Sequence, residues 1–505
     1  MMTESLTAAG QPGMVFLVGA GPGDPGLLTR AGAEALAHAD VVVYDRLASP
    51  ELLALVRDDA EMVYVGKASA QHTRTQDEIN TLLAELAAQG KQVCRLKGGD
   101  PLVFGRGGEE AAFLHAHGLP FTFIPGVTSA IAVPAYAGIP VTDRRCASSF
   151  AVITGHEDPT KPETALDWAG IAHGADTLVF LMGLANLPTI AAQLVAHGRP
   201  ATTPAAAIQD GTTPRQRVVT GTLANIAEKV TDAGLTSPVI TVVGDVVALR
   251  ETLAWYDVQP LFGKRVLVTR TREQASALSR LLAAAGAEPV EFPLIRIVPL
   301  PPPAHLPTHL AHADWLVFTS PNTITALLKQ LTTVNKDIRA LGAAKIAAIG
   351  PGTADSLHLH GLHVDFIPSR YVAECFAAEF PDPAGRHLII PRAEDAREVL
   401  PEMLSARGAH IEEVPVYRTE AAEGDAPDLR DIDVITFASS SAVHNFRRRY
   451  PGDVRPAIAC IGPITAATIR EHGLRDDIVA ADYTIPGLVA ALELYYREQQ
   501  NHKTR

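Results

Sequence analysis

Two glycine-rich segments constrain the fold of this chain most strongly, because each directly follows a short run of apolar residues. The first reads VFLVGAGPGDPGLLT from Val15, and the second reads CRLKGGDPLVFGRG from Cys94. Glycine lets a ligand approach the main chain closely and tolerates positive φ angles. Two strands that each end in bare backbone predict a cleft for a small molecule.

The first half of the chain alternates β-branched runs with Ala/Leu-rich stretches. The β-branched runs predict strands at 15–18, 41–44, 93–96, 121–124, 150–154, 178–182 and 239–243. The Ala/Leu-rich stretches predict helices at 29–38, 76–89, 108–117 and 187–197. This alternation indicates an α/β architecture with central strands and outer helices. The PGVTS segment at 125–129 predicts a crossing between two lobes, 13–125 and 126–250.

The length of 505 residues is too great for one ordinary core and predicts several domains. Residues 1–12 lack the basic and apolar regions of a signal peptide and predict a short disordered tail. Residues 251–262 predict a linker, since a new strand begins at Lys264. The second major domain is therefore expected at 263–505.

The second half contains an internal repeat. Residues 264–293 align with 386–415, DWLVFTS from Asp314 aligns with DVITFAS from Asp433, and KIAAIGPGT from Lys345 aligns with AIACIGPIT from Ala457. The spacing is too long for a solenoid and predicts two similar α/β lobes. We expect one lobe at 263–297 with 418–496 and the other at 298–417. The Pro/His-rich stretch 299–312 predicts a loop between them.

Composition excludes several classes of protein. The net charge of −13 argues against a general binder of nucleic acid or anionic membranes. No apolar run has the length of a membrane span. The four cysteines show neither metal-site nor disulfide spacing, which fits a reducing cytosol and predicts a cytoplasmic protein.

The first glycine segment also permits a dinucleotide-binding interpretation. That fingerprint needs a third glycine where this chain has Asp24, and Pro22 and Pro25 delay the helix that should follow. Asp45 stands where it could mimic the ribose-binding acid of such a unit. A nicotinamide-dependent oxidoreductase stays open as an alternative, as does a binding or regulatory protein without catalytic activity.

The extended pattern is more specific. The motifs GAGPGDPGLLT, VVYDRL, VGK, RLKGGDP and PGVTS occur in order, and together they resemble the uroporphyrinogen-III C-methyltransferases of the tetrapyrrole methylases. The resemblance spans residues 13–250 and implies a homodimer that binds S-adenosylmethionine between two α/β lobes. The implied cofactor contacts are Pro22, Gly98, Gly99, Asp100, Val103, Thr128, Ser129, Met182 and Gly211. Without the resemblance, Met182 would be interpreted as a core residue at a strand end.

The resemblance also implies how a methyl group reaches C2 and then C7 of the macrocycle. Asp45 and Lys67 match the acid/base positions of the family, although both could serve only to bind substrate. The substrate carries eight carboxylates, which arginine suits well. Arg46 and Arg106 are the candidate carboxylate ligands, and Arg74, Arg144 and Arg145 lie in segments that could also reach the cleft.

The second half resembles uroporphyrinogen-III synthase from residue 261 to about 496. The motifs are VLVTR, FTSPN, IGPGT, VPVYRT, FASS and IGPIT. The resemblance implies that hydroxymethylbilane loses water, inverts ring D and closes to uroporphyrinogen III. Tyr417 is the candidate acid for the leaving hydroxyl, and the candidate carboxylate ligands are Ser320, Thr353, Ser439, Ser440 and Thr465. Helix capping is the alternative role for each Ser and Thr.

Together the two resemblances imply one cytoplasmic enzyme that makes uroporphyrinogen III and methylates it twice to precorrin-2. The implied pathways are those of sirohaem and cobalamin. Neither family requires a metal, and the histidines His358, His360 and His363 have no cysteine or carboxylate set to complete a site. The sequence therefore predicts no metal, no nucleic acid and no membrane partner.

Overall fold

The computed structural model describes residues 12–46, 49–66, 74–156, 166–270, 272–394, 399–422 and 426–503. Residues 1–11 of the expected tail and the candidate Lys67 lie outside these ranges. The described strands form four five-stranded sheets. The chain divides into two compact units, one with residues up to 265, 282–288 and 493 onward, the other with 266–281 and 289–492.

The first sheet is parallel throughout and has the order β3-β2-β4-β1-β5. Its strands are β1 Val15–Gly19, β2 Val41–Tyr44, β3 Glu61–Tyr64, β4 Val93–Lys97 and β5 Phe121–Ile124. Its helices are α1 Arg30–His38, α2 Pro50–Leu53, α3 Gln76–Ala88 and α4 Gly107–Ala116. The central strands pack apolar side chains on both faces, which explains their nearly continuous runs of valine and leucine.

The second sheet is mixed and has the order β6-β7-β10-β8-β9, in which only β6 and β7 run parallel. Its strands are β6 Phe150–Thr154, β7 Thr177–Leu181, β8 Pro204–Gln209, β9 Arg217–Thr222 and β10 Val239–Val243. The accompanying helices are α5 Ser129–Tyr136, α6 Trp168–Gly174, α7 Leu187–Ala196, α8 Ile226–Asp232 and α9 Arg250–Leu253. The predicted α/β class is confirmed, and every strand and helix predicted in this half is present with ends within one residue.

The second half forms the other two sheets. Its strands are β11 Arg265–Val268, β12 Glu288–Glu291, β13 Ile295–Pro299, β14 Trp315–Phe318, β15 Lys345–Ala348, β16 His387–Ala393, β17 His410–Ala421, β18 Val434–Phe437, β19 Ala457–Cys460 and β20 Ile478–Val479. Its helices are α10 Arg272–Ala284, α11 Leu306–His312, α12 Pro321–Thr333, α13 Pro351–Leu359, α14 Ala373–Glu379, α15 Val399–Ala406, α16 Ser440–Arg449, α17 Pro463–Glu471 and α18 Ile485–Lys503.

The internal repeat occupies equivalent places in these two sheets. One sheet has the order β12-β11-β18-β19-β20, and the other contains the run β17-β16-β14-β15 with β13 beyond β17. The aligned strands therefore follow one another in the same order. The repeat extends to side chains, because Asp365 accepts from the backbone N–H of Ile346 at 2.8 Å and Asp477 accepts from that of Ile458 at 2.9 Å. The two sheets therefore share the same strand order and an equivalent aspartate contact, as expected for a structural repeat.

The loop predicted at 299–312 is wrong in its second part, where α11 forms. Pro307 stands in the first turn of this helix, where its missing N–H breaks no helical hydrogen bond. Leu306 and Leu310 lie four residues apart on one face and are fully buried in the core beside β14 and β17. Burial of this pair outweighs the loop-like composition.

The segment predicted as a linker packs closely against the first unit. The indole N–H of Trp255 donates to the carbonyl of Ala135 at 2.9 Å, and Tyr256 is buried against the ring of Tyr136. The domain boundaries themselves stay predictions. Among the described residues, no helix combines the length and apolar character needed to cross a membrane.

Candidate functional site

The two glycine-rich segments meet at the carboxyl ends of β1 and β4. The backbone N–H of Gly99 donates to the carbonyl of Gly21 at 2.7 Å, and the N–H of Gly21 donates back to Gly99 at 3.2 Å. A Cβ built on Gly126 would lie 2.2 Å from the carbonyl oxygen of Gly99, and one on Gly19 would lie 2.5 Å from Gly126 Cα. Three main-chain segments thus approach more closely than any side chain allows. We call Gly19, Gly21, Gly99 and Gly126 the glycine platform.

Asp100 ties this platform together. Its Oδ2 accepts from the backbone N–H of Gly126 at 3.0 Å, and its Oδ1 accepts from that of Leu102 at 2.8 Å. Thr128 caps α5 by accepting from the N–H of Ala130 at 3.3 Å. A Cβ on Gly99 would lie 3.8 Å from the backbone nitrogen of Ser129. The predicted cofactor residues Gly98, Gly99, Asp100, Thr128 and Ser129 are therefore neighbours.

The loop from Pro101 to Gly107 adds apolar surface beside the platform. Phe104 and Arg106 both have left-handed backbone conformations, with φ angles of 53° and 58°. Leu102 and Phe104 are 55% and 45% exposed, while the predicted contact Val103 is partly buried between them. Strained backbone and exposed apolar side chains are typical of a ligand site. Phe104 is a candidate that sequence reasoning missed.

A loop after β8 joins the platform from the second sheet. The Oγ1 of Thr212 accepts from the backbone N–H of Asp24 at 3.2 Å, and a Cβ on Gly23 would meet that oxygen at 2.9 Å. A Cβ on Gly211 would lie 2.3 Å from the side chain of Val133. The predicted contacts Pro22 and Gly211 therefore belong to segments that touch each other.

Met182 directly follows β7, and its exposure contradicts the alternative interpretation as a core residue. It has a φ of 58° and is 53% exposed. A left-handed conformation in an unbranched apolar residue is uncommon and marks a position worth attention. Its exposure leaves the thioether free to contact a ligand.

A buried charge network lies between β4 and α4 and was missed in the sequence. Glu110 is fully buried and accepts from Lys97 Nζ at 2.7 Å and from Arg95 Nε at 3.2 Å. Arg95 also donates from Nη2 to Asp45 Oδ2 at 3.3 Å. Burial is the main reason that the pKa of Lys97 is below its ordinary value, and the charge of Arg95 adds to it. We call Asp45, Arg95, Lys97 and Glu110 the charge network.

The network connects a predicted catalytic residue to the protein interior. Asp45 follows β2 and its side chain is 24% exposed, so its carboxylate is within reach of a ligand. Arg46 is exposed directly beside it, whereas Arg106 pairs with Glu109 at 2.6 Å on the surface. Arg95 lies within β4, and only the three-dimensional structure shows that it pairs with both Asp45 and Glu110.

The second half places paired helix N-termini at the ends of its strands. In one lobe α12 and α13 follow the parallel neighbours β14 and β15, and in the other α16 and α17 follow β18 and β19. The helix N-terminus carries a partial positive charge and free N–H groups that suit carboxylates. Each lobe therefore offers two adjacent helix N-termini at one edge of its sheet.

The predicted hydroxyl ligands lie at these N-termini. Ser320 and Ser439 are N-caps that accept from the backbone N–H groups of Asn322 and Ala442. Ser440 accepts from the Oγ1 of Thr468 at 2.8 Å. Thr353 and Thr465 are the third residues of α13 and α17, whose N-cap residues Gly350 and Gly462 provide no side-chain cap. Capping thus accounts for two of the five, and substrate binding stays a prediction for all.

Two tyrosines stand at equivalent positions beside these turns and were missed. A Cβ on Gly350 would lie 3.3 Å from Tyr371, and one on Gly462 would lie 3.0 Å from Tyr483. Both glycines have an extended backbone that any residue can adopt. Glycine is therefore favoured here because it leaves space for the tyrosine ring. Tyr371 and Tyr483 are 59% and 63% exposed, and each follows its glycine by the same interval.

Tyr417 occupies a different environment. It lies in β17, is 7% exposed and belongs to the hydrophobic core around α12. Its burial leaves little surface for contact with a substrate. Among the predicted catalytic residues that the structure describes, Tyr417 has the weakest structural support.

One α/β unit with a glycine platform and another with repeated helix N-termini are the architecture of a two-part enzyme. The model of the Tetrapyrrole (Corrin/Porphyrin) Methylases matches residues 14–227, and that of uroporphyrinogen-III synthase HemD matches residues 276–490. The porphyrin biosynthesis protein HemD of Ruminiclostridium josui is 37% identical over 494 residues, which cover 95% of this chain and 97% of that protein. This chain belongs to that family, with a tetrapyrrole methylase region before a uroporphyrinogen-III synthase region.

Two further relatives match parts of the chain. The uroporphyrinogen-III C-methyltransferase of Bacillus subtilis (strain 168) is 44% identical over 355 residues, 70% of this chain and 73% of that protein. A crystal structure of the uroporphyrin-III C-methyl transferase of Thermus thermophilus, complexed with S-adenyl homocysteine, is 41% identical. It covers 47% of this chain and all of its own, with a TM-score of 0.41. The predicted membership in both enzyme families is confirmed.

Proposed function

We propose that this chain makes uroporphyrinogen III from hydroxymethylbilane with its C-terminal half and methylates that product with its N-terminal half. Methylation at C2 and C7 would use S-adenosylmethionine and give precorrin-2, an intermediate of sirohaem and cobalamin synthesis. The observation that carries the proposal is the glycine platform, in which two hydrogen-bonded segments leave main chain open to a ligand. The methyltransferase solved with S-adenyl homocysteine supports this choice of ligand.

The residues around the platform fit this cofactor. A Cβ at Gly19 or Gly126 would collide with neighbouring backbone, so side chains at these positions would displace the main-chain segments proposed to contact the cofactor. Polar backbone groups and hydroxyls suit the ribose and the amino acid moiety, and an exposed thioether suits the sulfonium. The residues proposed to hold the cofactor are Pro22, Gly98, Gly99, Asp100, Val103, Thr128, Ser129, Met182 and Gly211.

The bound cofactor supplies an activated methyl group, and the protein must present the pyrrole carbon to it. Asp45 is proposed to take the proton from the macrocycle, because its carboxylate is partly exposed at the end of β2. Arg95 holds that carboxylate from the buried side and fixes its direction. Lys67 is proposed as the partner that donates or stabilises charge, and Arg46 and Arg106 as ligands of substrate carboxylates.

In the C-terminal half the substrate's own pyrrole nitrogen drives loss of hydroxide, so the protein mainly folds and holds a flexible chain. The N-termini of α13 and α17 are proposed to bind acetate and propionate groups, one in each lobe. Thr353 and Thr465 would add hydroxyls at these termini, with Ser320, Ser439 and Ser440 at neighbouring ones. Tyr417 is proposed as the acid that assists the leaving hydroxyl.

The remaining proposals follow family resemblance. The protein is proposed to be a cytoplasmic homodimer that associates through its methyltransferase half. We also propose that it acts without a metal in either reaction. Sedimentation analysis of the intact chain against a chain truncated after the first half would test the dimer.

Product analysis tests both activities at once. The intact protein is given freshly generated hydroxymethylbilane without oxygen, with and without S-adenosylmethionine, and products are separated by mass and isomer. We expect the type III macrocycle without the methyl donor and a dimethylated product with it. Spontaneous type I isomer alone would refute the synthase, and unmethylated type III product in both arms would refute the methyltransferase.

Two variants separate the halves. Asp45→Asn should reduce methylation and leave formation of the type III isomer unchanged. Tyr417→Phe should reduce formation of the type III isomer and leave methylation of supplied uroporphyrinogen III unchanged. Tyr450→Phe serves as a control for the second variant because this tyrosine packs on α16 away from β17. Tight binding of a nicotinamide dinucleotide, with no methylation, would instead favour the oxidoreductase interpretation.

A further inference from the structure

A cluster of three histidines and one glutamate lies on the lobe that contains α11, β16 and β17. His309 Nδ1 lies 2.8 Å from Glu412 Oε1 and 3.0 Å from its Oε2. His305 Nε2 lies 3.7 Å from Glu412 Oε1, and His387 Nε2 lies 3.2 Å from Oε2. Three imidazoles therefore converge on a single carboxylate.

The fold brings these residues together from three elements. His305 caps α11 and His309 follows one turn later, so both rings lie on one face, with centroids 4.5 Å apart. The buried Leu306 and Leu310 hold that helix against the core beside β17. His387 begins β16, whose parallel pairing with β17 places Ile389 opposite Glu412. The contacts of His309 and His387 with Glu412 therefore join elements that are distant in the chain.

The spacing of the donor atoms fits a transition metal ion. The candidate ligand atoms of His305, His309 and Glu412 all lie within 4.8 Å of one another. Zinc–nitrogen and zinc–oxygen bonds of about 2.0–2.2 Å in a tetrahedral complex separate neighbouring ligand atoms by about 3.4 Å. The measured separations bracket this value, so small side-chain rotations would close the site.

Two imidazoles and one carboxylate form a donor set that zinc uses when a fourth position remains open. His387 approaches the other carboxylate oxygen, as the hydrogen-bonding partners of metal ligands commonly do. The rings of His305 and His309 are 56% and 44% exposed, so an ion can enter from solvent. A cation at this point would be shared by imidazole nitrogens that otherwise approach a single carboxylate.

We propose that His305, His309 and Glu412 bind a zinc ion, with His387 positioning the carboxylate. The ion joins α11 to β17 and stabilises this lobe, and its fourth ligand is water. The site is separate from the helix N-termini assigned to substrate, and the proposal does not rest on either proposed activity. It contrasts with the sequence-based expectation of no metal, which rested on the cysteine spacing, the two family resemblances and the histidines His358, His360 and His363.

Metal titration of the intact chain tests the proposal. The protein, freed of any purification tag that contains histidine and stripped with a chelator, is titrated with Zn²⁺ against a coloured competing chelator. We expect one zinc per chain with micromolar affinity or tighter. His309→Ala and His305→Ala should each weaken binding by at least about tenfold, and His387→Gln by about tenfold.

A matched control uses histidines from the same lobe. His358 and His363 stack with ring centroids 6.5 Å apart and lie outside the cluster. Their double replacement by alanine should leave zinc affinity unchanged. Zn²⁺ should also raise the melting temperature of the wild type and the control but not of His309→Ala. Affinity that is unchanged in both His305→Ala and His309→Ala, or lost equally in the control, would overturn the proposal.

Discussion

The two halves of this protein build their candidate sites in different ways. The N-terminal half brings main chain against main chain, because Gly19, Gly99 and Gly126 approach within distances that exclude a Cβ. The C-terminal half repeats one device, a helix N-terminus at the end of a parallel strand, at α13 and again at α17. A candidate site made by close backbone contact can be disrupted by one added Cβ, whereas repeated helix N-termini provide several candidate binding positions.

Charge follows the same contrast. Glu110 is fully buried with two cations, Arg95 and Lys97, and forms the centre of the charge network. In the other half the buried Arg392 pairs with Glu413, whose side chain is 31% exposed. The first half therefore places a buried charge network behind its candidate site, whereas the second half places its candidate ligands at helix N-termini. Each of the following predictions tests that contrast.

The largest effect is expected from Glu110→Gln. The change removes the buried anion that Arg95 and Lys97 share, although Arg95 keeps its contact with Asp45, and it should lower the free energy of unfolding of this unit by about 3–5 kcal/mol. Hydrogen exchange of peptides from β4 and α4 measures the loss locally. The matched control is Glu109→Gln, because Glu109 forms an exposed pair with Arg106 and should contribute less than about 1 kcal/mol. Equal effects of the two variants would contradict the assigned role of the charge network.

The next effect is expected from Gly126→Ala. The new Cβ would collide with the carbonyl of Gly99 and displace the platform, which should reduce methyl transfer by about 100-fold. Assays with supplied uroporphyrinogen III measure methylation, and the same preparation should retain synthase activity. Gly108→Ala is the control, since its Cβ would meet nothing within 4 Å. Full methylation by Gly126→Ala would show that the platform is not the cofactor site.

The sequence predicts the scaffold well because the central strands are short valine-rich runs between clear breaks. The strands Val41–Tyr44, Phe150–Thr154 and Val239–Val243 are observed with the predicted ends. The helix Leu306–His312 was missed because its proline and histidines are typical of a loop, and its buried leucines are evident only in the packed core. Local composition therefore fixes elements only where the buried face is continuous.

The candidate sites were predicted less completely than the fold. Motif residues such as Gly99 and Thr128 are neighbours in the structure, but Glu110 shows no local pattern that distinguishes it from the exposed Glu109. Tyr371 and Tyr483 could have been found, because they stand at the same distance after Gly350 and Gly462 in the internal repeat. Long-range charge pairs leave no such trace in a single sequence.

A smaller effect is expected from Tyr371→Ala and Tyr483→Ala. Each ring lies beside a helix N-terminus in one lobe, so each loss should raise the KM for hydroxymethylbilane by about 3- to 10-fold with little change in kcat. The two effects should multiply in the double variant because Tyr371 and Tyr483 follow strands of different sheets. Leu359→Ala is the control, since this side chain is 88% exposed at the end of α13. A change in KM in only one of the two variants would show that the lobes do not contribute equally to substrate binding.

The smallest effect concerns two exposed ion pairs in the C-terminal half. A side-chain hydrogen bond from Arg339 and one from its backbone lower the pKa of Asp337 to about 2, and Arg430 does the same for Asp428. Because the pKa is lower in the folded protein, the stabilisation is present above the ordinary value of 3.8 and is lost as pH falls toward 2.

Asp337→Asn should therefore lower the urea midpoint slightly at pH 7, and the difference from the wild type should shrink as the pH approaches 3. Added salt should weaken the effect at neutral pH, since both groups are in water. Asp428→Asn provides a second copy of the same pair for comparison. A difference that is equal at pH 3 and pH 7 would assign the effect to the helix-capping geometry at Asp337 instead of to its charge.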